Sequence, residues 1–227
     1  MQKKVNLSHR RLNTMKRLAI GDIHGRTEWK KLIDQEFDEI YFLGDYFDSY
    51  EDFTIPHQID NFNEIISLAR KDARIKVCLG NHDYHYLKGL EYTERYSGFQ
   101  HHGYIDISEA VESAMDIIQI VYVTEDNYIL SHAGVTKTFL ERFEMQHPLD
   151  INERFKEDRK ILKHTGYNVY GDDPANGPLW VRPFSLANDA VDGYKQIVGH
   201  TQVDQFQTLN DTIFLVDIGS NSEGFHF

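Results

Sequence analysis

Short apolar runs and helical periodicities alternate along the first eighty positions. Leu18–Gly21, Glu39–Leu43 and Arg74–Leu79 are β-prone runs, each leading into a Gly followed by Asp or Asn. Between them, Thr27 is placed to cap a helix running to about Glu36. Ile55–Arg70 carries Ile59, Phe62, Ile65, Ile66 and Ala69 at helical spacing. Strand, loop and helix thus repeat, with polar residues at the carboxyl ends of strands, where open α/β sheets place their sites. Tyr84–Asp106 then loses clear periodicity and is rich in Tyr and His. Beyond it the pattern predicts a helix over Ile107–Ile118 and a hairpin of Ile120–Thr124 with Tyr128–Ser131. Helices follow over Val135–Phe143 and Ile151–His164, then a polar loop over Gly166–Pro178. Strands return at Gln196–Val198, Phe206–Leu209 and Thr212–Asp217, the last two as a hairpin over Asn210-Asp211.

At 227 residues, 41% of them hydrophobic, the chain fits one domain with a substantial core. We expect residues 1–14 to be a disordered leader and 15–227 a single domain. The regions near 84–106 and 135–195 are expected to shape the substrate surface. No apolar run approaches the ~18 residues that cross a membrane. A single cysteine, Cys78, leaves no intramolecular disulfide and fits a reducing, cytoplasmic setting. Six of the 24 basic residues fall in the first 17 positions, so the body carries two acidic residues for each basic one. Such a body offers no broad electrostatic face to duplex nucleic acid.

Five motifs stand in series: Gly21-Asp22-Ile23-His24-Gly25, Gly44-Asp45-Tyr46-Phe47-Asp48, Gly80-Asn81-His82-Asp83, Ser131-His132-Ala133-Gly134 and Gly199-His200-Thr201. A lone Gly-Asp is usually a turn and a lone histidine usually surface or core; the joint order argues against both. Divalent ions such as Mn²⁺, Fe²⁺ or Zn²⁺ accept mixed carboxylate and imidazole ligands. Asp22 and His24, two apart in a loop, can converge on one ion. Asp45 can bridge to a second ion, completed by Asn81, His132 and His200. Two cations ~3.5–4 Å apart can activate a bridging water and clamp the oxygens of phosphoryl transfer. Asp48 and His82 remain, and a carboxylate-oriented histidine suits protonation of a leaving alkoxide.

These motifs resemble those of the calcineurin-like metallophosphoesterases, in the branch of phosphoprotein phosphatases, lambda-type phosphatases and symmetrical diadenosine tetraphosphatases. The resemblance runs from residue 21 to 201. It implies an α/β, four-layer αββα sandwich of two mixed sheets flanked by helices. It also implies a first metal on Asp22, His24 and Asp45, a second on Asp45, Asn81, His132 and His200, and Asp48–His82 as the proton-donating pair. The implied cofactors are two divalent ions, Mn²⁺ foremost, with iron or Zn²⁺ as alternatives. Two departures stand out: Ser49-Tyr50 replaces the relatives' Arg-Gly, and Asp83 replaces Glu. Leu179-Trp180-Val181-Arg182 resembles the segment whose arginine grips phosphate in lambda-type relatives, making Arg182 a candidate; Arg26, after the first motif, is another. Asp217 reads as structural.

The expected activity is hydrolysis of a phosphomonoester on a phosphoprotein, nucleotide or nucleic-acid end. A dinucleoside polyphosphate hydrolase is the alternative, and a non-catalytic interaction module on the same fold a more distant one. Tyr46, Phe47, Tyr50, Tyr84, Tyr86, Tyr92 and Tyr96 either cap the core or wall a substrate site. His85 and the histidines outside the motifs are read as non-ligands. No P-loop or Gly-x-Ser-x-Gly elbow is present, and Cys78 lacks the arginine six positions on that a tyrosine-phosphatase loop requires.

Overall fold

The computed structural model describes residues 15–90, 97–165, 172–219 and 223–227. The expected leader at 1–14, Tyr92, Tyr96 and loop positions 166–171 lie outside the described residues. Strands β1 (Arg17–Ile20), β2 (Glu39–Phe42) and β3 (Ile75–Val77) pair in parallel in the order β3-β2-β1. The second sheet runs β4 (Val121–Val123), β5 (Tyr128–Ser131), β6 (Lys195–Val198), β8 (Ile213–Leu215), β7 (Gln207–Leu209). Its central pairs are parallel and its edges antiparallel. A short strand that the hydrophobic pattern did not predict, β9 (Phe225–His226), joins β1 antiparallel, so both sheets are mixed.

Alternation of side chains across a strand divides the apolar residues between two layers. Leu18, Ile20, Ile40 and Phe42 pack in one cluster with Phe62, Ile65 and Ile66 of α2 (Ile55–Lys71). Ala19, Tyr41 and Cys78 instead meet Leu130, Ile197 and Val216 between the sheets. Burial there pushes the Cys78 thiol pKa up, away from a nucleophile's. Leu186 of α7 (Pro183–Asp189) packs with Val198, Ile213 and Leu215 of the second sheet. This is the expected αββα sandwich.

The differences have local causes. The first helix, α1 (Trp29–Leu32), is one turn long with Glu28 at its N-cap position and no side-chain cap, and Phe37 beyond it is buried. In the third motif, α3 (Asn81–Tyr84) makes a single turn. Helix α4 (Tyr104–Ala114) ends before Ile118 because Gln119 exchanges backbone hydrogen bonds with Val77 and Leu79 at 3.0 Å each. After α5 (Lys137–Arg142), α6 (Asp150–Glu157) stops where Asp158 turns extended and its carboxylate accepts the Lys160 amide at 2.9 Å. That local hydrogen bond competes with the helix ladder. The Asn210-Asp211 turn has φ of 49° and 58°, the left-handed pair of a two-residue hairpin.

Six strands (β1, β2, β3, β5, β6 and β8) deliver their carboxyl ends to one edge. The sheet closes there through glycine: Gly44 has φ of 104°, and a Cβ on it would lie 2.5 Å from the Gly80 amide nitrogen. Gly89 has φ of 86° but nothing within 4 Å of such a Cβ. Gly89→Ala should therefore lose only about 1–2 kcal/mol for its backbone conformation. Gly44→Ala should lose clearly more, adding a backbone clash to that penalty. Urea denaturation of both variants measures the difference, and equal losses would contradict the close-approach account.

Candidate metal centre

Each site residue sits in the first few positions after a strand, and several pay in backbone strain. His24, Asp45, Asp48 and His200 have φ of 44°, 53°, 57° and 60°, a region non-glycine residues rarely occupy. The surrounding hydrogen bonds hold them there. Ile23 and His24 both donate their amides to the Asp45 carbonyl, at 3.0 and 2.7 Å. The His200 amide donates to Asp22 Oδ1 at 2.9 Å, joining the last motif to the first. The Asp83 carboxylate accepts the amides of Gly80, Asp45 and Tyr46 at 2.8, 2.9 and 2.8 Å, joining the second motif to the third.

Acceptors converge in this frame. His24 Nδ1 lies 2.6 Å from the Phe47 carbonyl and His132 Nδ1 lies 2.9 Å from the Leu43 carbonyl, so each Nδ1 carries the proton of a neutral ring. Their Nε2 lone pairs then point inward. His132 Nε2 lies 2.7 Å from Asn81 Oδ1, 3.1 Å from His200 Nδ1 and 3.4 Å from Asp45 Oδ2. His200 Nδ1 lies 2.9 Å from the same Asn81 oxygen. On the other side, His24 Nε2 is 3.8 Å from Asp45 Oδ2 and 4.0 Å from Asp22 Oδ2. Asp45 Oδ1 is used by the His82 amide at 2.8 Å, while Oδ2 faces both groups. With its proton on Nδ1, His132 sets an acceptor Nε2 beside the Asn81 and Asp45 oxygens, a contact that a cation between them would relieve. The described residues thus present three groups able to hold an ion: Asp22–His24–Asp45 and Asp45–His132–His200, which share Asp45, and Asp48–His82–His85.

The electrostatics agree with the donor set. Burial pushes the Asp22 and Asp45 carboxyls well above the usual range, aided by Asp217 for the first and Asp22 for the second. Burial lowers His24 to about 3, with the charge of His82 as the next cause. Burial likewise drives His132 and His200 well below the ordinary value. The imidazoles are neutral, as ligation requires, and divalent ions would add to the positive charge that Arg26 and Arg182 already bring near the buried carboxylates.

Asp48 has a different environment. Its Oδ2 meets His82 Nδ1 at 2.9 Å and His85 Nε2 at 2.6 Å; its Oδ1 accepts from Tyr86 Oη at 2.5 Å and Gln100 Nε2 at 3.1 Å. Burial opposes its charge, yet the hydrogen bonds from His82 and His85 hold its pKa at about 2. The motif reading missed His85, Tyr86 and Gln100. Of the three, only His85 carried a signal, standing three positions after His82 and so on the same side of a helical turn.

Both candidate arginines reach a cavity of about 280 Å³ lined by Asp22, His24, Asp45, Asn81, His82 and His200. Arg182 enters it with Nη1 donating to the His200 carbonyl at 3.1 Å and Thr201 Oγ1 at 3.2 Å. Arg26 is bound more tightly to the protein: Nη2 donates to the Asp22 carbonyl at 2.7 Å, and Nη1 pairs with Glu51 at 3.6 Å. Asp217 also lines the cavity and accepts the Gly219 amide at 3.1 Å. Of the aromatic group, Tyr46, Phe47, Tyr84 and Tyr86 are buried core residues, whereas Tyr50 stands at the cavity mouth.

The calcineurin-like phosphoesterase family model matches residues 15–204. A solved protein serine/threonine phosphatase from Saccharomyces cerevisiae, described as similar to human phosphatase PP5, shares the fold with a TM-score of 0.52 and 13% identity. The alignment covers 92% of this chain and 68% of that one. No curated protein sequence matches the chain.

Metal-stripped protein should bind two Mn²⁺ per chain by equilibrium dialysis. At a free concentration near 100 times Kd, each ion should add about 2.7 kcal/mol of stability. Asp45→Asn weakens the ligand common to both groups and should bind fewer than two ions under the same conditions. Two ions retained with undiminished affinity would show that Asp45 is not shared.

Proposed function

Because this chain belongs to the calcineurin-like phosphoesterase family, we propose that it hydrolyses phosphomonoesters at a two-metal centre. The observation that carries the proposal is the convergence of neutral His132 and His200 nitrogens with Asn81 Oδ1 and Asp45 Oδ2 within 2.7–3.4 Å. In this reading Asp22, His24 and Asp45 hold one divalent ion, and Asp45, Asn81, His132 and His200 hold the other. The ions supply Lewis acidity toward the phosphoryl oxygens and acidify the attacking water.

The chain's own residues supply the rest. Arg182 and, more weakly, Arg26 offer guanidinium groups to the substrate phosphate from the cavity wall. Burial lowers the Arg182 pKa, and the Asp22 and Asp45 carboxylates oppose that fall. His82 has Nδ1 committed to Asp48, so Nε2 is left to give a proton to the leaving oxygen. The ionised Asp48 steadies the imidazolium that this role requires. Asp48 is itself held by His85, Tyr86 and Gln100, so the pair cannot rotate freely. Among the described residues, no helix is long and apolar enough to cross a membrane.

A substrate panel with Mn²⁺ tests the reading: phosphopeptides, 5′- and 3′-phosphorylated oligonucleotides, p-nitrophenyl phosphate, its bis ester and diadenosine tetraphosphate. Monoesters should be the best substrates; preferred cleavage of diadenosine tetraphosphate would move the assignment to a dinucleoside polyphosphate hydrolase. Asp45→Asn should lose monoester hydrolysis by orders of magnitude while remaining folded. Arg182→Ala should mainly raise KM and weaken inhibition by free phosphate. An unchanged KM and inhibition constant would return Arg182 to a structural role.

A further inference from the structure

Tyr50 is 77% exposed while the neighbouring aromatics Tyr46, Phe47 and Tyr86 are fully buried. It lines the mouth of the site cavity together with His24, His82 and Arg182. Its ring centroid lies 5.3 Å from that of His24 at 66°, and 6.3 Å from that of His82 at 78°. Both are edge contacts rather than stacks. With most of the side chain in solvent, a ring face remains open beside the metal ligands and the proposed proton donor.

The turn that carries Tyr50 is braced on both sides. The Ser49 amide donates to Gln58 Oε1 at 3.3 Å, and the Glu51 amide donates to Ser49 Oγ at 3.0 Å. Glu51 pairs with Arg26, and Phe53 stacks on His57 at 4.7 Å and 18°. An exposed aromatic on a braced turn loses little conformational freedom when it meets a ligand, which favours a preformed contact. The same cavity is lined by the Arg182 guanidinium, so charge recognition and flat apolar contact are offered together.

We propose that Tyr50 is a stacking wall for a planar aromatic group carried close to the scissile phosphate, and that it selects nucleotide or aryl phosphates over alkyl phosphates. This rests on the phosphoesterase reading above. Stacking is tolerant of the ring's identity because every base or phenyl group has a π-face. Loss of one such stack lowers affinity by roughly fivefold to a hundredfold.

Two matched pairs test it: adenosine 5′-monophosphate against ribose 5-phosphate, and phosphotyrosine against phosphoserine. Calorimetric titration of Mn²⁺-loaded wild type should show the aromatic member of at least one pair binding about tenfold tighter. Tyr50→Phe should keep that gap, and Tyr50→Ala should bring the two members within about twofold of each other. The pair that carries the gap distinguishes a nucleobase from a phenyl ring. No gap in either pair, or a gap that survives in Tyr50→Ala, overturns the proposal. Turnover of the same four esters separates the two readings. A gap with no turnover would sink the phosphoesterase reading and leave the wall standing; turnover without a gap would do the reverse.

Discussion

The site depends first on one buried carboxylate that binds neither a metal group nor the cavity. Asp83 is fully buried and accepts three backbone amides, from Gly80, Asp45 and Tyr46. Burial raises its pKa to about 6, and the three amides pull it back toward the charged form. This clip ties the loop after β2 to the loop after β3 at a distance only glycine allows on each side. A Cβ on Gly80 would lie 2.2 Å from the Asp45 amide nitrogen, and one on Gly44 would lie as improbably close to Gly80. Asp45 owes its left-handed backbone and its inward Oδ2 to this contact.

Two buried polar clusters lie side by side and differ in what they lack. Around Asp48 every oxygen has a donor: two imidazoles, a phenol and an amide. That network is complete within the protein, and it keeps the carboxylate ionised despite its burial. Around Asp45 Oδ2 the neighbours are carboxylate, amide oxygen and imidazole lone pairs, an arrangement whose missing component is positive charge. In the proposed reading the first cluster orients a proton-transfer group and the second holds the cations. His82 connects them, with its amide on Asp45 and its ring on Asp48. Both proposed roles are thus tied to one short turn, α3.

The parts of this design that depend on local chemistry were legible in the sequence. The strands preceding each motif, the Asn210-Asp211 hairpin and the long helix α2 follow from periodicity and turn residues alone. The eight motif side chains also converge on one edge, because each motif follows a strand whose carboxyl end lies there; Arg26 follows the first motif, and Arg182 reaches the same cavity from the start of α7. What stayed hidden depends on tertiary contact. The two-residue strand β9 exists only because β1 offers a free edge. Helix α7 begins at a proline beyond the polar loop, in a segment whose pattern predicts no element, and Leu186 becomes core only once the second sheet is present. His85 belongs to no motif; its place beside Asp48 requires that α3 and the loop after β2 already be docked. Thr27 looks like a cap, but the helix starts one position later, with Glu28 at the N-cap position and no side-chain cap bond.

The change at Ser49 joins these observations. Where relatives place an arginine beside the second-motif aspartate, this chain has a small hydroxyl that accepts the Glu51 amide and tightens the turn. No guanidinium enters the cavity from that position. The remaining cationic groups come from elsewhere: Arg182 from the start of α7 on the second sheet, and Arg26 from the loop after β1. Arg26 spends part of its donor capacity on the Asp22 carbonyl and Glu51, which leaves Arg182 as the better-placed group for an incoming phosphate. The same tight turn projects Tyr50 over His24. Loss of an arginine beside the second motif thus leaves an exposed aromatic there, and leaves the charge contact to Arg182, which lines the same cavity. A ligand that satisfied both would have its phosphate drawn toward Arg182 and its body against Tyr50, across the seam between the two sheets.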